Sequence, residues 1–570
     1  MWRSSFMAAV SVTALVLTSG LVRADGYEQR AAAPTPFSWS GVYVGAHLGG
    51  ALGETNISDP YPALFGVNGV IFGDNVRTPG PLGGGQVGAN VQSGSLVVGV
   101  EADLSWANLD GTNTCFAFSG FFVSSNCHVH VSSLGTLTGR LGVAVGPQGR
   151  TLLYAKAGGA LEQVSIDATP NGAFGAIFLG TNGTQSASNT KFGWTVGGGV
   201  EHALAGNWSV KAEYDFLSFG GTNFTTPTSA VIFPNGTGFF VPGPGVVASA
   251  SQDIHEFKVG LNYKFGAGSR ESDPYWGGSS KDRPIYGGPR TEVEVGARYV
   301  HGWGRFQKDL GITGLSTNTL ASRLTYDGMH TNGGEVFARL DTHNNFMVKG
   351  LIGGGSGGGT MNDEDWLFPF GPALVSYSNT VSDVDNRIRY GTVDVGYDWL
   401  RGPGYRVASF VGYNVLRQDM KAFGCTQIAN PFSDCVPPIP TSVLGITEED
   451  TWQSLRLGAA VDFKVVPGVR VSADAAYLPK VWFDGTDNHV LRALVSPEDG
   501  LGRGVQLELS VSMALTDQLS VGVGGRYWAM WTDTGQTNFG GSGFMVPQRF
   551  AAEQAAVMVQ GSYKFGGALK

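Results

Sequence analysis

Two short motifs lie far apart in the chain and together could do hydrolytic chemistry: Asp363-x-Asp365 and Asp487-x-His489. Each is an i, i+2 pair, so its two side chains would project from the same side of an extended strand. Three carboxylates facing one imidazole could orient the histidine, hold a water molecule and deprotonate it. The motifs therefore predict general-base hydrolysis without a covalent intermediate if the two segments meet in space.

The same residue types leave two other interpretations open. Carboxylates together with an imidazole also ligate calcium or manganese. A surface protein could instead keep these residues without turnover and serve a structural or adhesive role. We take the hydrolytic site as the prediction and expect no metal and no dinucleotide, haem or other organic cofactor. A net charge of −9 and a pI near 5.5 give no footprint for nucleic acid.

The N-terminal segment has the pattern of a secretory signal peptide over residues 1–24. Arg3 is followed by an apolar stretch from Phe6 to Leu17 and then by Val22-Arg23-Ala24. The stretch is too short to span a bilayer, so cleavage after Ala24 is expected. No later run of about 18 apolar residues exists, which excludes a helical membrane protein.

Long segments instead alternate in polarity, as the strands of a transmembrane barrel do. Apolar or small residues from Leu519 to Trp531, and again from Val557 to Phe565, occupy every second position. Glycine supplies 87 of 570 residues and charged residues only 15%. One apolar face, aromatic strand ends and segments of about ten residues are typical of outer-membrane strands. A soluble sandwich or lipocalin-type barrel is the alternative.

Two segments end in nearly the same aromatic sequence, Tyr263-Lys264-Phe265-Gly266 and Tyr563-Lys564-Phe565-Gly566, which predicts two barrel closures. The predicted fold is all-β, with two tandem transmembrane antiparallel barrels. The boundaries are a signal peptide at 1–24, an eight-stranded barrel at 37–266, a linker at 267–290 and a ten-stranded barrel at 291–570. The strands are expected near 38–52, 82–93, 95–109, 131–145, 151–166, 191–204, 208–220 and 254–266, then 291–306, 322–341, 346–359, 384–400, 405–420, 452–464, 469–483, 504–515, 519–531 and 551–565.

The strand count places both motifs at one end of the second barrel. Its third strand leads into a predicted loop with Asp363 and Asp365, and its seventh into one with Asp487 and His489. Both strands are odd-numbered, so both loops are expected at the outer rim, opposite the short periplasmic turns. Alternation counted from Val469 would turn Asp487 and His489 toward lipid. We therefore predict a bulge at Pro479, which cannot donate to a strand ladder.

The four cysteines form two local pairs, Cys115 with Cys127 and Cys425 with Cys435. An even count and short spacing behind a signal peptide predict two disulfides within outer loops.

The first unit resembles the eight-stranded surface barrels of the porin family, through Phe37-Ser38-Trp39-Ser40-Gly41-Val42-Tyr43-Val44-Gly45 and the closing Tyr263-Lys264-Phe265. The second unit resembles the omptins, outer-membrane aspartic-type endopeptidases, through Met361-Asn362-Asp363-Glu364-Asp365-Trp366 and Asp484-Gly485-Thr486-Asp487-Asn488-His489. The omptin resemblance implies that Asp487 and His489 activate water, while Asp363 and Asp365 help to hold it and stabilise the oxyanion.

The omptin resemblance also implies a location and partners. The protein would lie in the bacterial outer membrane and cleave peptides or proteins outside the cell. Tyr413 and Arg417 match positions near bound lipopolysaccharide, so a lipopolysaccharide requirement is an expectation. Omptins carry acids for basic substrate side chains at two positions that are Gly304 and Gly485 here, with Asp484 one residue away. The sequence therefore leaves the cleavage preference open.

Overall fold

The computed structural model describes residues 37–58, 75–115, 125–171, 184–204, 206–225, 230–232, 237–240, 247–265, 291–312, 318–367, 375–402, 404–428 and 434–565. The signal peptide and linker expected at 1–24 and 267–290 lie outside the described residues and stay predictions. Within the described part, no helix is long and apolar enough to cross a membrane. The helical pieces there are single 3-10 turns at Pro147–Gly149 and Val490–Arg492.

Eight antiparallel strands close the first barrel, because β1 pairs with β10. A small hairpin, β8–β9, precedes β10 and pairs with residues 375 and 376 of the second barrel. The bounds are β1 Gly41–Ile57, β2 Asn75–Ser93, β3 Leu96–Cys115, β4 Ser125–Val145, β5 Thr151–Pro170, β6 Gln185–Ala203, β7 Trp208–Thr225, β8 Ala230–Ile232, β9 Thr237–Phe240 and β10 Val247–Lys264.

Ten antiparallel strands form the second barrel, in which β11 pairs with β20 and β13 with β14. The predicted all-β fold with barrels of eight and then ten strands is confirmed. The bounds are β11 Glu292–Gly311, β12 Leu320–Asp341, β13 Phe346–Leu367, β14 Val375–Gly402, β15 Tyr405–Gln427, β16 Ile439–Val466, β17 Val469–His489, β18 Leu494–Ala514, β19 Leu519–Phe539 and β20 Phe544–Phe565.

The barrel walls are apolar outside and polar inside, the reverse of a soluble domain. Val523 and Val559 are 59% and 60% exposed on the outer wall, whereas Arg526 is 7% exposed in the interior. Such a surface needs lipid around it, so the soluble-sandwich alternative is wrong. Short turns close the strands at one end of each barrel, where Gly94 and Gly468 adopt positive φ angles of 63° and 83° that favour glycine.

Charged side chains fill the interior of the first barrel. Lys211 Nζ lies 3.1 Å from Glu101 and 3.2 Å from Glu213, and Lys258 Nζ lies 2.8 Å from Asp215. An eight-stranded barrel has room for its own side chains and little else. The interior of this barrel is therefore filled by its own side chains and does not form a wide channel.

The two barrels pack side by side along a contact that we call the seam. Its lower part is apolar and includes Val210 and Val259 of the first barrel and Val505 and Leu507 of the second. Gly50 permits close approach there, since a Cβ would lie 2.9 Å from Val505 Cγ2. Ala529 and Trp531 share the outward face of Val523, yet they are buried because the seam covers them.

Near the outer rim the seam becomes polar. Arg323 of β12 is fully buried and donates to Asp309 on its own barrel and to Thr114 and Asn126 on the other. Arg549 pairs with Asp110 across the same contact. The polar contacts lie above the membrane-spanning part of the wall, whereas the apolar contacts lie within it. The seam therefore changes from apolar to polar toward the outer rim.

The strands continue well beyond the segments predicted for them, always at the outer end. The strand expected to begin at 452 begins at Ile439, and β13 and β17 run to Leu367 and His489. About ten residues of a tilted strand suffice to cross a bilayer, so the rest projects outward. The two motifs therefore lie on strands, and their placement in loops was wrong.

Candidate functional site

Asp363 and Asp365 lie on the outer part of β13 and face the lumen. Their cross-strand partners on β12 are Leu324 and Ser322, and both residues are half-buried, with Asp363 Oδ1 shielded from solvent. The last strongly exposed apolar side chain below them on the outer wall is Ile352. The pair is thus outside the membrane-spanning segment. Glu364, between them, points the other way and accepts a 2.7 Å hydrogen bond from Thr114 at the seam.

Asp487 and His489 lie at the end of β17, and a bulge turns them inward. Pairing with β18 shifts register between Leu478 and Val481, which is where Pro479 lies. Pairing with β16 shifts at the same height. The predicted bulge is confirmed. It reverses the alternation, so that Asp487 shares the lumen face with Val481 and Phe483, which pack in the interior cluster.

The dyad geometry is within hydrogen-bond reach. His489 Nε2 lies 3.1 Å from Asp487 Oδ2, and Asp487 is 7% exposed. If Nε2 carries the proton donated to the carboxylate, Nδ1 is left to accept one. Asp487 can therefore orient the imidazole and stabilise its charged form.

Electrostatics join the two motifs across the lumen. Burial, then the carboxylates of Asp365 and Asp487, raise the pKa of Asp363 well above its ordinary value. Burial also raises the pKa of Asp365, against a hydrogen bond from Ser322 and the charge of His489. Both shifts favour the protonated form of the Asp363–Asp365 couple.

Asp487 is shifted in the opposite direction. Burial acts to raise its pKa, but Lys308 and His489 outweigh burial and lower the pKa to about 2. Opposite pKa shifts of neighbouring carboxyl groups are the usual way in which one site separates base and acid roles. The four residues singled out from the sequence face one cleft, and their roles stay a prediction.

A group of charged residues beside the dyad was not predicted. Lys308 of β11 crosses the lumen, and its Nζ lies 2.9 Å from Asp487 Oδ2, 3.3 Å from Glu498 Oε1 and in contact with Glu448. The lysine is 2% exposed. The one sequence signal was the acidic run Glu448-Glu449-Asp450, whose first and third members face inward. The other members of the group come together only in the folded barrel, because four different strands supply them.

The glycines at the two pocket positions have different surroundings. A Cβ on Gly304 would lie 2.5 Å from the Gln554 side-chain nitrogen. Gly485 pairs with Asp450 on β16 and with Glu498 on β18, and its Cβ would lie 2.9 Å from Asp450 Oδ1. Asp484 is exposed on the opposite face and cannot replace an acid at 485. Neighbouring strands, not the same strand, supply the carboxylates here.

The carboxylates that lie close enough together to share a cation are not those of the Asp363–Asp365 and Asp487–His489 motifs. Ligand atoms of Glu448, Asp450 and Glu498 lie within 4.8 Å of one another, the one such group in the described residues. The alternative of a metal held by Asp363, Asp365, Asp487 and His489 gains no support from this placement.

Tyr413 and Arg417 lie on the outer wall of β15. The Tyr413 hydroxyl donates to Gln453, and Arg417 is exposed next to Arg389 on β14. Exposed Val411 lies one step below and exposed Val393 is the cross-strand partner of Tyr413, so the tyrosine marks the upper edge of the apolar band. Arg389 pairs with Asp419, and a lipopolysaccharide contact at Tyr413 and Arg417 stays a prediction.

Both disulfides are present. Cys115 bonds to Cys127 and Cys425 to Cys435. Cys115, Cys127 and Cys425 lie on the outer ends of β3, β4 and β15 and not in loops, again because the strands extend further than expected.

Comparison with known proteins agrees with the architecture. The family model described as an outer membrane protein β-barrel domain matches residues 29–265. The 22 kDa outer membrane protein of Rhizobium leguminosarum is 30% identical over 230 residues, which cover 40% of this chain and 79% of that protein. The chain belongs to the outer membrane β-barrel family. The 31 kDa outer-membrane immunogenic protein of Brucella melitensis is 28% identical over 270 residues, or 45% of this chain and 97% of that protein.

This membership places the protein in the bacterial outer membrane. Among solved structures, the outer membrane protease OmpT from Escherichia coli aligns with 13% identity and a TM-score of 0.39, over 48% of this chain and 96% of that one. A likeness of that size carries no argument about activity. The omptin-like hypothesis for this outer-membrane barrel protein therefore stays a prediction that depends on the residues in its lumen.

Proposed function

We propose that the second barrel is an outer-membrane endopeptidase in which an Asp487–His489 dyad activates water. The observation that carries the proposal is the inward turn of β17 at its bulge, which brings a hydrogen-bonded Asp–His pair to face a second carboxyl couple. Neither motif alone would be notable. Together they provide a base, a residue that orients it and a proton donor for the oxyanion.

In the proposed reaction, His489 takes a proton from water as the water attacks the peptide carbonyl. Asp487 stabilises the imidazolium that forms. The protonated member of the Asp363–Asp365 couple donates a hydrogen bond to the developing oxyanion, and the imidazolium returns its proton to the leaving amine. No side chain forms a bond to the substrate in this scheme.

The test is cleavage of a peptide library by refolded protein in lipopolysaccharide-containing micelles. His489→Ala should lower kcat by about two to four orders of magnitude, the usual contribution of a general base. Asn488→Ala, on the same strand but facing the outer wall, is the matched control and should keep activity. Serine-protease reagents and chelators should not inhibit. Equal activity of wild type and His489→Ala would refute the dyad, and inhibition by chelators would favour a metal site.

A second candidate is a non-catalytic structural or adhesive surface protein. One observation favours it: Lys308 binds the same Asp487 oxygen as His489 and neutralises much of its charge. No cleavage of any library member by the wild type, with lipopolysaccharide present, would support this second function.

A further inference from the structure

Three buried carboxylates next to the dyad form what we call the acidic pocket: Glu448, Asp450 and Glu498. They are 0%, 2% and 5% exposed. Glu448 is the cross-strand partner of Asp487, while Asp450 and Glu498 flank Gly485 from its two sides. The glycine lets the strands and acids approach closely, since a Cβ at 485 would lie 2.7 Å from the Phe483 ring and 2.9 Å from Asp450 Oδ1.

The pocket brings three acidic side chains together against one ammonium group, and burial raises the pKa values of all three. Both oxygens of Asp450, one of Glu448 and one of Glu498 receive no hydrogen bond from the described part of the chain. Burial, followed by the charges of Glu448 and Glu498, raises the pKa of Asp450 well above its ordinary value. Burying ionised carboxylates without partners is costly, so these acids either keep a proton or pair with a cation.

The cation is supplied by the chain itself. Lys308 reaches across from β11 and places its ammonium against Glu448, Glu498 and Asp487. This is the contact that a lysine side chain of a peptide would make in an acidic subsite. Since Lys308 Nζ and His489 Nε2 touch the same oxygen of Asp487, the occupied subsite is directly beside the proposed base.

We propose that Lys308 occupies the acidic pocket in place of a basic substrate residue and so makes the barrel select peptides without a positive charge at the adjoining position. This inference rests on the proposed function, because selection between peptides requires that the barrel cleaves them. The occupancy itself is a binding property and can be measured without turnover. An incoming lysine or arginine would have to displace an ammonium that is already bound to two carboxylates of the pocket.

The test compares Lys308→Met, which removes the charge but keeps the length, with Lys308→Arg, which keeps the charge. Lys349→Met is the matched control, because Lys349 is a lumen lysine that pairs lower down with Asp474 at 2.7 Å. Calorimetry with n-butylammonium reports the pocket directly. We expect Lys308→Met to bind it at least tenfold more tightly than wild type, Lys308→Arg or Lys349→Met. Adding Glu448→Gln and Glu498→Gln to Lys308→Met should abolish the gain.

Turnover gives the second readout. For peptide pairs that differ only by lysine or norleucine beside the scissile bond, Lys308→Met should raise the lysine-to-norleucine ratio of kcat/KM at least tenfold. If neither the wild type nor any variant cleaves a peptide, the proposed function is wrong. Calorimetry would still show whether Lys308 occupies the acidic pocket. If Lys308→Met binds n-butylammonium no better than Lys349→Met, or wild type already prefers lysine, the inference is overturned.

If Lys308→Met refolds poorly, its refolding yield provides a third measurement. The refolding yield of Lys308→Met should then rise with n-butylammonium and not with n-butanol, which has the same heavy-atom length but no charge. Equal effects of the two additives would overturn the proposal.

Discussion

Arg323 is the side chain on which the polar half of the seam depends, and its loss should separate the barrels at the rim. Its Nε and one terminal nitrogen bind the two oxygens of Asp309 at 2.7 and 2.9 Å. The other terminal contacts reach Thr114 at 2.8 Å and Asn126 at 2.7 Å on the first barrel. Arg323→Met removes all of these and leaves Asp309 buried.

The magnitude follows from that stranded carboxylate. Breaking a buried pair by removing one partner costs about 3–5 kcal/mol. Asp309 still receives hydrogen bonds from Thr112 and Gln307, so we expect about 3 kcal/mol. Arg503→Met is the control, since its pair with Asp533 is about 40% exposed on both sides, and it should cost at most about 1 kcal/mol.

Two measurements check this prediction. Urea unfolding in micelles, followed by tryptophan fluorescence, gives the free-energy difference between each variant and wild type. A protease site engineered into the predicted linker tests the seam itself: after cutting, wild-type barrels should migrate together on a native gel and Arg323→Met barrels should separate more readily. Adding Asp309→Leu to Arg323→Met should recover part of the loss. Equal costs for Arg323→Met and Arg503→Met, with no change on the gel, would refute the side-by-side arrangement.

Three further predictions concern the rim. Because the folded-state pKa of Asp363 is raised, folding there loses stability as pH climbs above the unfolded-state value of about 4; Asp363→Asn should therefore be more stable than wild type at pH 8 and equal to it at pH 3, by urea unfolding. Serine at both Cys115 and Cys127, which are separated by 12 residues, should lower stability by roughly 2–3 kcal/mol, and a matched loss in reduced wild type would check it. Arg417→Ala should weaken any dependence of activity on lipopolysaccharide concentration, whereas Lys421→Ala, four residues higher on the same face of β15, should not. Identical titrations for both variants would contradict the headgroup site.

The inner ends of the strands could be predicted from the sequence, whereas the outer ends could not. The inner ends are set by local turn chemistry, such as the positive φ angles at Gly94 and Gly468. The outer ends depend on backbone pairing above the membrane, where no lipid imposes an apolar face. The acidic run at Glu448 reads as a loop for that reason, although it lies within β16.

The candidate site was predictable only as far as it depends on one strand at a time. Spacing within β13 and β17 identified the two motifs, and the missing donor of Pro479 identified the bulge. Lys308 gave no signal, because nothing in its own segment shows that β11 faces the dyad across the lumen. The seam was missed for a similar reason: an outward Arg323 looks like a solvated residue until the second barrel is placed beside it.

Lys308 also links the two candidate functions to one structural cause. During the proposed reaction, an imidazolium at His489 would have its Nε2 at most about 6 Å from Lys308 Nζ, because these atoms lie 3.1 and 2.9 Å from the same oxygen of Asp487. At an effective dielectric constant of about 20, two like charges at that distance repel by ~3 kcal/mol, or roughly a hundredfold in rate. The lysine that neutralises the acidic pocket therefore slows the base beside it. The two candidate functions therefore depend on one quantity, the free energy by which the Lys308 ammonium disfavours the imidazolium at His489. A moderate penalty leaves a slow hydrolase that spares basic residues, and a large penalty leaves a surface protein without turnover.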